Sequence, residues 1–68
     1  MNVRYDSKVD AVSIELAKGK YSKSRKISDS IVVDEDRNGR ILAIEILDAS
    51  VNIPAFDPQK INISVQSS

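Results

Sequence analysis

Neither cysteine nor histidine occurs anywhere in the 68 residues, which removes disulfide stapling and the usual zinc sites together. Tryptophan is missing too, glycine and proline occur twice each, and the aromatic set is two tyrosines and one phenylalanine. Charge of one sign is not in excess, because ten Lys and Arg balance ten Asp and Glu. No overall field therefore draws the chain to nucleic acid or to an anionic membrane, and any such attraction must be local. No apolar run approaches the roughly 20 residues of a membrane span. Met1 is followed by Asn2, Val3 and Arg4 instead of a charged-then-apolar leader, so a cytoplasmic protein without membrane contact is expected.

A chain of this length forms one domain, here taken as residues 1–68, and buries only about 60% of the surface its unfolded form exposes. A core that thin rarely supplies more than about 3–5 kcal/mol by itself. With disulfides and zinc excluded, association with a second copy is the remaining support.

The apolar residues are mostly Ile and Val, whose branched Cβ atoms suit a pleated surface better than a helix. Val3 and Tyr5 alternate with Arg4 and Asp6, and Val12, Ile14 and Leu16 alternate with Ser13, Glu15 and Ala17. Both stretches have the period of two expected of half-buried strands. Between them Asp6 to Asp10 is suited to a tight turn whose carboxylates accept backbone hydrogen bonds, giving a first hairpin.

Residues 18–26 read as a charged turn leading into an exposed strand. Ile27, Ile31 and Val33 continue one parity, and Leu42, Ile44 and Ile46 resume it after an acidic break. Asn38-Gly39 within that break is a hairpin signal, giving a second hairpin. On the other parity stand Ile41, Ala43 and Leu47, interrupted by Glu45, so this fourth strand is expected to be central and covered on both faces. Pro54 and Pro58 forbid continuous ladder pairing after it, Asp57-Pro58 suits the start of one helical turn, and Ile61, Ile63 and Val65 alternate as a fifth strand. The fold class is mostly β: a five-stranded, largely antiparallel curled sheet with at most one short helical turn.

Tyr5-Asp6, Asp10-Ala11 with Ile14 and Leu16, Gly19, Val33-Asp34, Gly39-Arg40-Ile41 and above all Ile44-Glu45-Ile46-Leu47-Asp48-Ala49-Ser50 together resemble the DUF2283 family of small prokaryotic proteins. The resemblance covers residues 1–50 and departs mildly at Ala43, where the family pattern has glycine, and at Ser7, where proline is common. It implies a small β-rich fold without an assigned activity. It also implies an antitoxin-like role beside a toxin-like partner protein. The matching acidic positions Asp6, Asp10, Glu45 and Asp48 read most simply as residues that pin turns and strand ends.

Three constellations carry candidate chemistry. Asp34-x-Asp36-x-Asn38-Gly39, then five residues and Glu45, fits the string of an EF-hand calcium loop, with Asp34, Asp36, Asn38 and Glu45 as ligands. The flanks oppose it: Ile31, Val32 and Val33 are β-branched where a helix should enter, and Leu42 stands where a polar ligand is usual. A plain acidic hairpin is the reading they favour. Lys18, Lys20, Lys23, Arg25 and Lys26 with Tyr21 could track a nucleic-acid backbone, against the plain alternative of a solvated loop and a lysine-blunted edge strand. Asp34 with Asp36, or Asp6 with Asp10, could divide acid and base roles, but a thin sheet seldom encloses the pocket such chemistry needs.

The function expected from these residues is a protein-binding or structural module, either a homodimer with Leu47 and Phe56 at its interface or the partner of a small toxin-like protein. Nucleic-acid binding through residues 18–26 is the alternative. No enzymatic activity and no cofactor are expected.

Overall fold

A computed structural model describes residues 1–61 of the chain. Five strands, β1 (Asn2–Asp6), β2 (Ala11–Glu15), β3 (Lys23–Lys26), β4 (Ile31–Glu35) and β5 (Ile41–Ile46), are followed by a four-residue helix, α1 (Ala49–Asn52), and a 3-10 turn over Pro58–Lys60. The strands form one antiparallel sheet in the order β1-β2-β5-β4-β3. The sheet is open. No helix among the described residues is long and apolar enough to cross a membrane.

The first hairpin follows from Asp6, whose carboxylate accepts the Lys8 N–H at 2.9 Å, and from Asp10, which takes a left-handed backbone at φ 54° that aspartate tolerates better than most residues. The second forms around Gly39 at φ 80°. There the Asp36 carboxylate accepts the N–H groups of Asn38 and Arg40, both at 2.9 Å. Residues 23–33 depart from the continuous strand expected of them. Ile27 donates to the Ile31 carbonyl at 2.9 Å and the chain reverses, so β3 and β4 are separate strands paired in register, Arg25 opposite Val33. Ile27 is exposed in that turn. The fifth strand expected over residues 61–65 lies, from residue 62 onward, outside the described residues, and Ile61 is not in a strand.

β5 is central, as its apolar content implies. Val12 faces Ile46 and Ile14 faces Ile44 across β2–β5, while Val33 faces Ile44 across β4–β5, which assembles one apolar face. Its centre is Val12 and Val33, 3% and 2% exposed, each stabilising by about 1.5–3 kcal/mol on full burial. The expectation that β5 is covered on both sides fails. Its other parity, Ala43 and Glu45, stands opposite Glu15 and Asp34 and opposite Ser13 and Val32, a face whose neighbours are polar apart from Val32.

Strands β3, β4 and β5 are joined by tight turns, and β2 lies beside β5, so the connection over residues 16–22 must cross one end of the sheet in a Greek-key manner. A register shift beside Asp34 and Glu35 leaves Leu42 as an extra residue in β5, and its carbonyl accepts from Leu16 and Ala17 at 2.8 and 3.1 Å. Gly19 lets the crossing segment lie close: a Cβ there would meet the Leu42 Cδ2 at 2.8 Å.

Gly39 has open space for a Cβ, so replacing it with Ala isolates the cost of the left-handed backbone, expected at about 1–2 kcal/mol. In thermal unfolding that corresponds to a fall of roughly 4–16 °C, with Gly39→Asn losing less; an unchanged Tm for Gly39→Ala would contradict the turn geometry.

Candidate functional site

Asp10 joins the two ends of the family-like motif. Its carboxylate accepts the Tyr5 hydroxyl at 2.8 Å and the Ser50 hydroxyl at 2.6 Å, and the Ser50 N–H reaches the same group at 3.1 and 3.3 Å. The Asp10 carbonyl accepts the Ala49 N–H at 2.8 Å. Helix α1 therefore starts against the first hairpin, with Ala49 fully buried at 0% exposure. Asp48, at φ 50°, turns the chain into that helix without capping it by its side chain. Four residues do not sustain a helix alone, so α1 exists because Asp10 receives its first N–H groups. The Ser50 hydroxyl first and the Tyr5 hydroxyl second hold the Asp10 carboxyl below the usual carboxylate range, burial opposing them in part, and the hydrogen bond to Asp10 pushes the Tyr5 phenol up.

The calcium-loop string does not converge. Asp36 is buried at the β4–β5 turn, where one oxygen accepts two backbone N–H groups and the other accepts Arg40 Nε at 2.8 Å; the Arg40 N–H is the chief cause of its lowered pKa. Glu45 is four residues into β5, on the polar face beside Asp34. A hydrogen bond with the Asp34 carboxyl, then burial, then the Asp34 charge raise the Glu45 pKa. Asp34 in turn accepts the Ser24 hydroxyl at 2.6 Å, and Ser24 shares a 2.8 Å hydrogen bond with the Tyr21 hydroxyl. The carboxylates pair as Asp34 with Glu45, not as Asp34 with Asp36 or Asp6 with Asp10. Among the described residues no cluster of three or more acidic side chains could hold a metal ion.

The basic stretch is divided between two places. Arg25 is committed to the buried Glu35, with Nη2 2.7 Å and Nε 3.2 Å from Oε2. Lys23 and Lys26 are exposed on the edge strand β3. Lys18 and Lys20 lie in the crossing segment and line a groove with Arg37 and Arg40 of the β4–β5 turn. Sequence reasoning missed Arg37, since no local pattern links it to residues 18–26.

The described residues cover the apolar face only in part. The segment after β5 lies over it, with the Phe56 ring edge-on to Tyr5 at 5.0 Å between centroids. Beside this contact a groove of about 430 Å³ is lined by Met1, Val3, Ile14, Ile46, Ile53 and Ile61, among others. Of the two residues expected at a dimer interface, Phe56 lines this groove and Leu47 does not.

Two expectations follow. Asp10 and Asp36 both have lowered pKa values in the folded state, so each contributes stability that is complete above its unfolded value and is lost as pH falls through the folded one, from about pH 4 downward. Asn tolerates the left-handed backbone, so Asp10→Asn should lower Tm at neutral pH and flatten its decline with acid; an unchanged acid limb would contradict the role of Asp10. Calcium titration by calorimetry should give no saturable binding in the micromolar range, and micromolar binding lost in Glu45→Gln would show that the loop rearranges around the ion.

Comparison with curated proteins and with solved structures finds no match to the chain. Comparison with protein families gives one described as a protein of unknown function, DUF2283, over residues 2–50. That span runs from the start of β1 to the Ser50 hydroxyl that closes on Asp10, and matches well over half of the sequence: the chain belongs to the DUF2283 family.

Proposed function

We propose that this chain is a protein-binding module whose first partner is a second copy of itself, seated on the apolar groove between the sheet and the segment after β5. The groove carries the reading, because it gathers branched and aromatic side chains from β1, β2, β5 and residues 53–61 on one open surface. Thin packing supports it. Among the described residues the buried apolar set is Val12, Val33 and Ala49, and no large side chain is fully enclosed. Val3, Ile14, Ile46, Ile53 and Phe56 are half-buried, and burying the remainder of each would add to stability in proportion to the apolar area removed from water. A two-fold pairing of identical faces is the commonest way for a small protein to achieve this. An antitoxin-like role is the finer form of the same reading, with a small partner protein in place of the second copy.

Sedimentation equilibrium across the micromolar range tests it. The protein should be dimeric, and Ile61→Asp should weaken the dimer at least about tenfold, since the introduced charge would have to be desolvated. Val51→Asp, at an exposed position outside the groove, should leave it unchanged. A folded monomer indifferent to Ile61→Asp would overturn the self-association reading, and a monomer that dimerises only with a co-expressed neighbouring gene product would replace it with the antitoxin-like one.

A further inference from the structure

One end of the sheet gathers cations that are far apart in the chain. The register places the start of β5 beside the end of β2, so the crossing segment and the β4–β5 turn share one end. The first hairpin turn and α1 share the other. The latter end holds Asp6, Asp10 and Asp48 with Lys8, and the β3–β4 turn adds Lys26 and Asp29 there. The former holds Lys18, Lys20, Arg37 and Arg40 beside Asp36, and Glu15 and Asp34 line an adjoining groove with Lys18 and Tyr21. Asp36 is saturated by two backbone N–H groups and by Arg40, so it offers little compensation to the others. Lys18, Lys20 and Arg37 make no ion pair among the described residues.

Two grooves meet at this end. One, of about 370 Å³, runs between the crossing segment and the turn and includes Lys18, Lys20 and Arg37. The second, of about 320 Å³, is formed by Lys20, Tyr21, Ser22 and Arg37. Lys20 and Arg37 line both, so the two grooves adjoin. Tyr21 is 59% exposed beside them, and the bond between its hydroxyl and Ser24 holds the ring. A lone phosphate would need only one convergent point of charge. A path of cations with an oriented, exposed aromatic ring matches a linear polyanion with an unpaired base to stack.

We propose that this end of the sheet is a binding site for single-stranded nucleic acid, with Lys18, Lys20 and Arg37 on the phosphates and Tyr21 against a base. The site is separate from the apolar groove, so its failure leaves the self-association reading untouched. Arg40 holds Asp36 and is a positioning residue. Gly19 lets the segment bearing Lys18 and Lys20 lie against Leu42 beside the turn that bears Arg37.

Fluorescence anisotropy with a labelled oligothymidylate and the full chain tests the proposal. Three phosphate contacts on a single strand give a log–log salt slope of about −2, or a loss of about twentyfold between 50 and 200 mM salt. Arg37→Gln should reduce that loss to about sevenfold, because one contact carries a slope of about 0.7. Tyr21→Ala should weaken binding at least about fivefold at either salt, and Lys8→Gln, at the opposite end, should change nothing. A duplex of equal length should bind more weakly. No binding at 50 mM salt with protein at about 100 µM, the weak limit of non-specific affinity, overturns the proposal. So does binding indifferent to Arg37→Gln and Tyr21→Ala, or equal binding to the duplex.

Discussion

The carboxylate of Asp10 receives two hydroxyl groups and a backbone N–H from residues that are 5 and 40 positions away, and the rest of the molecule is arranged around that convergence. Without it α1 has neither the length nor a side-chain cap to persist. The segment from residue 53 to residue 61 would then have no fixed point from which to lie across the apolar face. With it, Phe56 reaches Tyr5, whose hydroxyl is itself bound to Asp10, so one acidic side chain positions both layers of the core. Each of these hydrogen bonds is exposed or part-buried and stabilises modestly by itself, so the set matters for where it holds the chain.

Topology accounts for the surfaces. The connection between β2 and β3 must pass over the end where β5 begins, because β5 and β4 lie between the two strands it joins. That passage carries lysines to the turn that carries Arg37, so cations far apart in the sequence meet at one end of the sheet, beside Glu15 and Asp34. The sheet faces differ too. Alternation along β2, β4 and β5 sends Val12, Ile14, Val33, Ile44 and Ile46 to one side, and Ser13, Asp34 and Glu45, with Val32, to the other. Among the described residues the first side has an apolar groove, and the second brings the carboxyl groups of Asp34 and Glu45 together.

Much of the architecture was legible because it is local. Period-two alternation marks β1, β2 and β5, Asn38-Gly39 marks the second hairpin, and Asp57-Pro58 marks the 3-10 turn, where the Asp57 carboxylate does accept the Gln59 N–H at 3.0 Å. The β3–β4 reversal was not legible. Ser28, Asp29 and Ser30 carry no glycine or proline, and the pattern of Ile27, Ile31 and Val33 runs straight through the turn. Helix α1 was equally hidden, since its cause lies in Asp10, forty residues before Ser50.

The sequence by itself determined the strand-forming segments, most of the tight turns and the lack of thiol and imidazole chemistry, because side-chain branching, alternation and turn preference act over a few residues. Only the tertiary structure decided which carboxylates meet, that Arg25 is bound to Glu35 while Arg37 joins Lys18 and Lys20, and that β5 has one apolar and one polar neighbourhood. Those outcomes depend on the β2–β5 pairing and on the extra residue at Leu42. Both are set by packing between segments far apart in the chain, where local preference has no reach.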